Sequence, residues 1–271
     1  MSHTREAAVA GYFYPTAEDE LKRAVRDYIQ AGAARLEHRT DQLAAVIAPH
    51  AGYSYSGKVA GTAYAALKQI ADRISRLILI GPAHRVAFEG IALSGASTFK
   101  TPLGMVSTDR RAITQLESLR CVSVLDEPHR NEHALEVHLP FLQEILADFS
   151  IVPLLVGQAD AHQVATVFEA LQPDERTIII VSSDLSHYLS DQQARELDAI
   201  TSSAIEELAP QKIPESGACG LIPIRGLLLY SKRRGFSCRT VHLANSAEAG
   251  GETERVVGYG AYLFEKRGTV H

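Results

Sequence analysis

Short runs of hydrophobic residues, rich in β-branched side chains, alternate along the chain with segments whose hydrophobic positions recur at helical spacing. This alternation is typical of an α/β domain built on a largely parallel sheet. The hydrophobic runs predict strands at Ala44–Ala48, Leu77–Ile80, Gly90–Ser94, Ser150–Val156, Thr177–Val181, Ser237–Leu243 and Val256–Phe264. The helical segments predict helices at Ala17–Ala33, Ser56–Ile70, Arg110–Leu119, Glu132–Asp148, Ala161–Leu171, Asp191–Leu208 and Ile222–Arg233.

The alternation of strands and helices continues along the sequence without a recognisable domain boundary. No internal repeat and no linker rich in proline, glycine or serine divides the sequence. We therefore expect a single domain over residues 1–271, with its core at about 5–266. The expected fold class is α/β, with a central, largely parallel mixed sheet flanked by helices.

Composition and charge exclude several classes of protein. Hydrophobic residues make up 46% and charged residues 22% of the 271 residues, as in ordinary folded proteins. A net charge of −5 disfavours general binding to nucleic acid or to an anionic membrane surface. The longest hydrophobic runs fall far short of the roughly 20 residues of a membrane helix, and the first residues lack the layout of a signal peptide. We expect a cytoplasmic protein.

Candidate chemistry lies where three predicted strands end. His50 follows the strand at 44–48, His84 follows the strand at 77–80, and Asp184 and His187 follow the strand at 177–181. Residues just beyond the carboxyl ends of parallel strands meet at one edge of the sheet, where ligands bind. A single histidine in such a turn is more often structural, but three at equivalent strand ends favour a shared site. Asp184 and His187, spaced Asp-x-x-His, are candidates for an acid–base pair.

The three cysteines are an odd number and include no Cys-x-x-Cys pair, which fits neither a disulfide framework nor a structural zinc site. Cys219 lies in a glycine-flanked turn that opens a predicted helix. The amino terminus of a helix lowers the pKa of a thiol and favours the thiolate. Cys219 is therefore a candidate metal ligand or nucleophile, whereas Cys121 and Cys238 are assigned structural roles.

The segment around His133 and His138 contains two histidines and two glutamates. A zinc-binding helix of a metalloprotease needs histidines four residues apart, but these two are five apart and point in different directions on a helix. We expect one or two of the group Glu132, His133, Glu136 and His138 to face the site without forming a zincin helix. Phosphate-binding, dinucleotide-binding and nucleophile-elbow motifs are also absent from the sequence.

Five segments, taken together and in order, resemble the signature blocks of the Memo family. They are Pro49–Gly57, Gly81–His84, Glu132–Pro140, Ser182–His187 and Cys219–Ile224. The resemblance covers essentially the whole chain. It identifies the sequence as similar to protein B of the three-part AmmeMemoRadiSam system, whose other parts are a radical SAM protein and an AMMECR-type protein.

The resemblance implies a fold shared with class III LigB-type extradiol dioxygenases, which hold non-haem iron with two histidines and a carboxylate. His50 and His84 match the two metal-binding histidines, and Cys219 matches the position where the dioxygenases have their glutamate. His187 matches the acid–base histidine, and Asp184 belongs to the same block. The resemblance makes iron(II) the first expectation for the one transition-metal ion. A thiolate is softer than a carboxylate and shifts the preference towards copper(I), zinc or a differently tuned iron, so copper or zinc fits as well.

Three functions follow from this resemblance. The first is a metal-dependent oxidoreductase acting on a small molecule or peptide. The second is a peptide- or protein-recognition module that uses the same cleft, and the third is a zinc-dependent hydrolase. His138, Glu132, His133 and Tyr53 are expected beside the metal ligands or against the substrate. The radical SAM and AMMECR-type proteins are expected as partners.

Overall fold

Twelve strands of the described residues, 3–267 of the computed structural model, form a single mixed sheet. The strands are β1 (Thr4–Arg5), β2 (Leu43–Ala48), β3 (Arg76–Pro82), β4 (Ile91–Leu93), β5 (Thr98–Thr101), β6 (Gly104–Thr108), β7 (Val122–Val124), β8 (Ser150–Val156), β9 (Thr177–Ser182), β10 (His187–Leu189), β11 (Phe236–Asn245) and β12 (Val256–Lys266). The main path through the sheet runs β1-β5-β6-β8-β3-β9-β2-β12-β10. In addition, β11 pairs with β12, and β4 pairs with β7 and β8.

The helices lie on both faces of this sheet. They are α1 (Glu18–Ala33), α2 (Tyr53–Lys68), α3 (Arg110–Leu116), α4 (Glu127–Arg130), α5 (Leu139–Ile145), α6 (Ala161–Leu171), α7 (Asp191–Glu206) and α8 (Leu221–Arg234). Short 3₁₀ turns lie at Ala71–Arg73, Glu136–His138, Pro210–Lys212 and Ser246–Ala249. No helix in the stretch from 3 to 267 combines the length and the hydrophobicity needed to cross a lipid bilayer.

The central strands are buried on both sides, which explains why they appear in the sequence as continuous hydrophobic runs. Leu77 and Leu79 face the hydrophobic cluster that includes α1, α2 and α5, whereas Ile78 and Ile80 face the cluster that includes α3, α6 and α8. This alternation is the two-residue period of a strand. The predicted α/β class and the single mixed sheet flanked by helices are therefore confirmed.

The register of the central strands determines where the functional residues lie. β8, β3, β9 and β2 are mutually parallel neighbours, with Ala48 opposite Ser182 and Ile80 opposite Val181. The chain therefore leaves β2, β3 and β9 at the same edge of the sheet. β12 then pairs antiparallel with β2 and with β10, and so closes one side of that edge.

The predicted helix at Glu132–Asp148 is wrong in its first half. The helix α5 spans only Leu139–Ile145, and a 3₁₀ turn precedes it. The side chain of Glu132 accepts hydrogen bonds from the backbone N–H groups of His133 and Ala134, which lie 2.8 and 2.9 Å away. A side chain that binds nearby backbone N–H groups competes with helix formation. The argument from helical spacing between His133 and His138 therefore does not apply.

Candidate metal centre

Three histidine rings converge at the edge where β2 and β3 end. His50 follows β2, His84 follows β3, and His133 lies after α4. One potential ligand atom from each of the three histidines lies within 4.8 Å of the other two. Among the histidine, cysteine, aspartate and glutamate residues at positions 3–267, these three form the group of three or more that is this close together. The ring of His84 stacks on that of His133 with centroids 4.7 Å apart, and the ring of His50 lies edge-on to both.

The hydrogen bonds of His50 establish which of its ring nitrogens is free. Its Nδ1 lies 2.6 Å from the Ser182 hydroxyl oxygen, and that hydroxyl donates its own hydrogen to the Ala134 carbonyl. Ser182 must therefore accept from His50, so Nδ1 carries the proton and Nε2 carries the lone pair. Burial, followed by the neighbouring His84 and His133, lowers the pKa of His50 well below its usual value. His50 is thus a neutral donor ready to bind a metal ion.

Glu132 contacts the other two histidines and holds the ring of His84 through a hydrogen bond. Its Oε1 atom lies 2.9 Å from Nδ1 of His84 and 3.0 Å from Nδ1 of His133, and its Oε2 atom accepts from the backbone N–H of His84 at 2.6 Å. Burial raises the pKa of this carboxyl, but the contacts with His133 and His84 outweigh burial and leave it well below its usual range. An ionised carboxylate behind a histidine directs Nε2 of that ring towards a metal and increases its basicity.

Cys219 lies beside His50 but outside the group formed by His50, His84 and His133. Its Sγ atom is 3.2 Å from Nε2 of His50, and the backbone N–H of Asp184 donates to the sulfur over 3.3 Å. The turn that carries Cys219 packs closely against the end of β9. A Cβ atom on Gly220 would lie 2.7 Å from Cβ of Ser183, so only glycine permits this approach.

The sequence-based expectation of a lowered thiol pKa is wrong for Cys219. Burial, together with the nearby Asp184 carboxyl, raises the pKa of this thiol to about 12. Cys219 does precede α8 by two residues, but its removal from water outweighs the effect of the helix terminus. The thiolate form at neutral pH would therefore depend on a bound cation.

Asp184 and His187 both line a cleft of about 650 Å³ beside the cluster, together with His133. Oδ1 of Asp184 accepts from the backbone N–H groups of His50 and Ala51, over 2.7 and 3.3 Å, and burial raises the pKa of the carboxyl. Nδ1 of His187 lies 2.8 Å from the Leu185 carbonyl and donates to it, which leaves Nε2 available. The two residues of the Asp-x-x-His pair thus line one cleft, but they are held by different groups. Asp184 binds backbone N–H groups near the histidine cluster, and the Leu185 carbonyl orients the His187 ring.

Two other predicted residues lie in the core around the site. His138 is buried, with Nδ1 2.7 Å from the Tyr64 hydroxyl, and burial followed by the nearby His133 lowers its pKa to about 3. Tyr53 is buried as well and donates its hydroxyl hydrogen to the Val137 carbonyl at 2.6 Å. Tyr53 therefore braces the segment that carries His133, and it is Tyr55 that lines the cleft.

The segment between His133 and His138 is also tied to the amino-terminal part of the chain. Glu136 is fully buried and pairs with the Arg5 guanidinium. It accepts a hydrogen bond from the Tyr14 hydroxyl at 2.5 Å and one from the backbone N–H of Val9 at 3.0 Å. Arg5 also donates to the Glu132 carbonyl oxygen, so the strand β1 helps to position the histidine cluster.

Sequence reasoning expected His133 beside the metal ligands, but it missed that His133 joins the histidine cluster itself and that Ser182 holds His50. The adjacency of Glu132 and His133 was the available signal for the first. No motif marked Ser182, because its role depends on the parallel register that sets β9 beside β2.

The chain is similar to several known proteins. The family model described as Memo-like protein matches residues 5–263. A MEMO1 family protein from Archaeoglobus fulgidus is 33% identical, over 97% of this chain and 99% of the relative. A second, from Methanosarcina barkeri, is 35% identical over 96% of this chain and 100% of the relative. The crystal structure of uncharacterized protein JW3007 from Escherichia coli K12 is similar in fold, with a TM-score of 0.52 over 80% of this chain and 99% of that chain, at 12% identity.

Proposed function

The chain belongs to the Memo-like family, and we propose that it is an oxidoreductase that uses one transition-metal ion, iron(II), bound by His50, His84 and Cys219. The observation that carries this proposal is the convergence of His50 and His84 with their Nδ1 atoms engaged by Ser182 and Glu132. Histidines held in this way present Nε2 to a metal ion. The resemblance to extradiol dioxygenases supports iron and redox chemistry.

The position of Cys219 supports its role as the third ligand. A nitrogen and a sulfur that bind the same ion at ordinary bond lengths lie roughly 3.5 Å apart, and the Sγ–Nε2 distance between Cys219 and His50 is 3.2 Å. The N–H of Asp184 points at the sulfur and would stabilise the thiolate once the ion displaces its proton. His133 lines the cleft that would admit the substrate.

The bound ion would supply the electron transfer or the polarisation of the substrate. The chain supplies the remaining steps. The cleft admits the substrate beside the cluster, and Nε2 of His187 accepts or returns a proton, because Nδ1 is already committed to the Leu185 carbonyl. Asp184 holds the backbone of His50 and Ala51 in place, and Glu132 fixes the direction of His84.

A zinc-dependent hydrolase is the second candidate, and one observation favours it. Three histidines with an open position are a known donor set for catalytic zinc, and His50, His84 and His133 bring their ligand atoms within 4.8 Å of one another. In that alternative His133 replaces Cys219 as the third ligand, and copper would be a third choice of metal. The recognition module is less favoured, because Tyr53 is held in the core and does not line the cleft.

The test is elemental analysis of the full chain purified without oxygen and without added metal, followed by anaerobic redox titration. We expect about one iron per chain and one redox step. One zinc per chain with no redox step would support the hydrolase instead. A chain that takes up neither metal would support the recognition module. We further propose a cytoplasmic location, which keeps Cys219 reduced, and the radical SAM and AMMECR-type proteins as partners.

A further inference from the structure

Tyr188 has a left-handed backbone conformation although it lies within a strand. Among the described residues, three that are not glycine have a positive φ, namely Gln172, Tyr188 and Leu208. Gln172 caps α6, and Leu208 lies just after α7, where left-handed residues commonly end helices. Tyr188, with φ of 60°, lies inside the strand β10. Left-handed backbone in a bulky residue is strained, and such strain clusters at ligand sites.

This conformation directs the Tyr188 ring at the cleft. The pairing of β10 with β12 shifts register between His187 and Leu189, which is a bulge that re-aims the side chain. The ring is 65% exposed and lines the same cleft as His133 and His187. An exposed aromatic ring contributes little to the core, so packing does not account for a strained tyrosine at this position.

Arg255, the residue before β12, completes the feature. Its guanidinium carbon lies 5.2 Å from the centroid of the Tyr188 ring, and Arg255 also lines the cleft. Within residues 3–267, no carboxylate lies within ion-pair distance of Arg255. Two acidic residues line the cleft. Asp184 binds the backbone of His50 and Ala51, and Glu252 is exposed and forms no ion pair with Arg255 in the described chain. Arg255 is therefore a cation without a protein counter-ion at the mouth of the metal cleft.

We propose that Tyr188 and Arg255 are specificity-determining residues, which select a small planar ligand that carries an oxyanion group. The planar part stacks on the Tyr188 ring, and the carboxylate or phosphate pairs with the Arg255 guanidinium, which binds such groups with two parallel hydrogen bonds. The proposal rests on the proposed function, since it names the substrate class of the same cleft.

The test measures the dissociation constants of three probes by ligand-observed NMR, with the full chain both iron-loaded and in the presence of a chelator. The probes are benzoate, phenyl phosphate and the neutral benzamide. We expect at least one of the two anions to bind about tenfold more tightly than benzamide, whether or not the metal is present. Arg255→Gln should abolish this preference, and Arg120→Gln, an exposed arginine outside the cleft, should retain it.

Two variants of Tyr188 separate ligand binding from a structural role. Tyr188→Phe should retain the preference and the affinity. Tyr188→Gly relieves the left-handed strain, so it should melt at the same temperature as the wild type or higher while it weakens all three probes. A lower melting temperature with unchanged probe binding would assign Tyr188 a structural role and overturn the proposal.

The remaining outcomes distinguish this inference from the proposed function. A preference for anions that persists in Arg255→Gln overturns the inference, as does the absence of any preference in the wild type. If the wild type shows the preference with and without chelator but never retains a metal, the proposed function fails and the specificity of the cleft stands. If the protein retains iron but does not discriminate among the probes, the proposed function stands and the inference about Tyr188 and Arg255 fails.

Discussion

The Sγ atom of Cys219 lies 3.2 Å from Nε2 of His50, although the two residues are 169 positions apart in the chain. The contact is made possible by Gly220, which lets the turn before α8 approach the end of β9. His50 in turn is held by Ser182, the last residue of β9. One strand end therefore positions both donors.

Cys219→Ser should lose metal while the fold is retained, because a hydroxyl is nearly the same size as a thiol but a poor ligand at neutral pH. The loss of affinity should exceed the roughly 10- to 100-fold that follows removal of a residue behind a ligand. The check is metal content per chain, with Cys121→Ser and Cys238→Ser as controls. If Cys219→Ser keeps its metal and His133→Ala loses it, the three histidines are the ligands.

Glu132→Gln should weaken metal binding without removing a ligand. The neutral amide no longer supports the His84 and His133 rings as the carboxylate does, and we expect a loss of about 10- to 100-fold in metal affinity. Competition with a chelator of known affinity measures it. Glu127→Gln, at an exposed position in α4, is the matched control and should bind as the wild type does. Equal affinity in both variants would contradict the role assigned to Glu132.

His187→Gln should keep its metal and lose turnover by roughly 100- to 10,000-fold, the usual contribution of a general acid or base. The pH dependence of turnover should flatten in the same variant. His162→Gln, at an exposed helical position, is the control. Loss of metal as complete as in His50→Ala would make His187 a ligand instead.

His129 should make the protein less stable as the pH falls. Burial lowers the pKa of His129 to about 4, from an ordinary value of 6.5. The unfolded chain therefore takes up a proton between these values while the folded chain does not, and stability is lost from about pH 6.5 down to about pH 4.

The size of this effect can be measured against a variant. Between pH 7 and pH 5 the wild type should lose about 2 kcal/mol more than His129→Gln in its free energy of unfolding. Urea denaturation at the two pH values provides the comparison. Equal losses in the two proteins would mean that His129 is protonated in the fold.

Much of the fold could be predicted from the sequence because β2, β3, β8 and β9 are buried on both faces and therefore stand out as hydrophobic runs. Five short strands were not predicted. They are β1, β5, β6, β7 and β10, which have two to five residues each and lack a clear pattern. The start of the predicted helix at 132 was wrong because Glu132 binds nearby backbone and two histidines, which periodicity does not reveal.

Some features of the candidate site could likewise be predicted from the sequence, and others could not. The strand ends predicted that His50, His84, Asp184 and His187 lie at one edge of the sheet, and parallel topology does bring the ends of β2, β3 and β9 to that edge. The inclusion of His133 in the cluster depends on Glu132, and the pKa of Cys219 depends on how deeply the turn before α8 is buried. Tertiary packing decides both, so neither could be derived from motif spacing.

The central claim is that a redox-active ion at His50, His84 and Cys219 has an open coordination position facing the cleft. Nitric oxide binding to the anaerobic protein loaded with one iron(II) per chain tests it most directly, by electron paramagnetic resonance. The account predicts the high-spin signal of an iron nitrosyl in the wild type, because three protein ligands leave room for an exogenous one. Absence of that signal in protein shown to contain one iron per chain would contradict it.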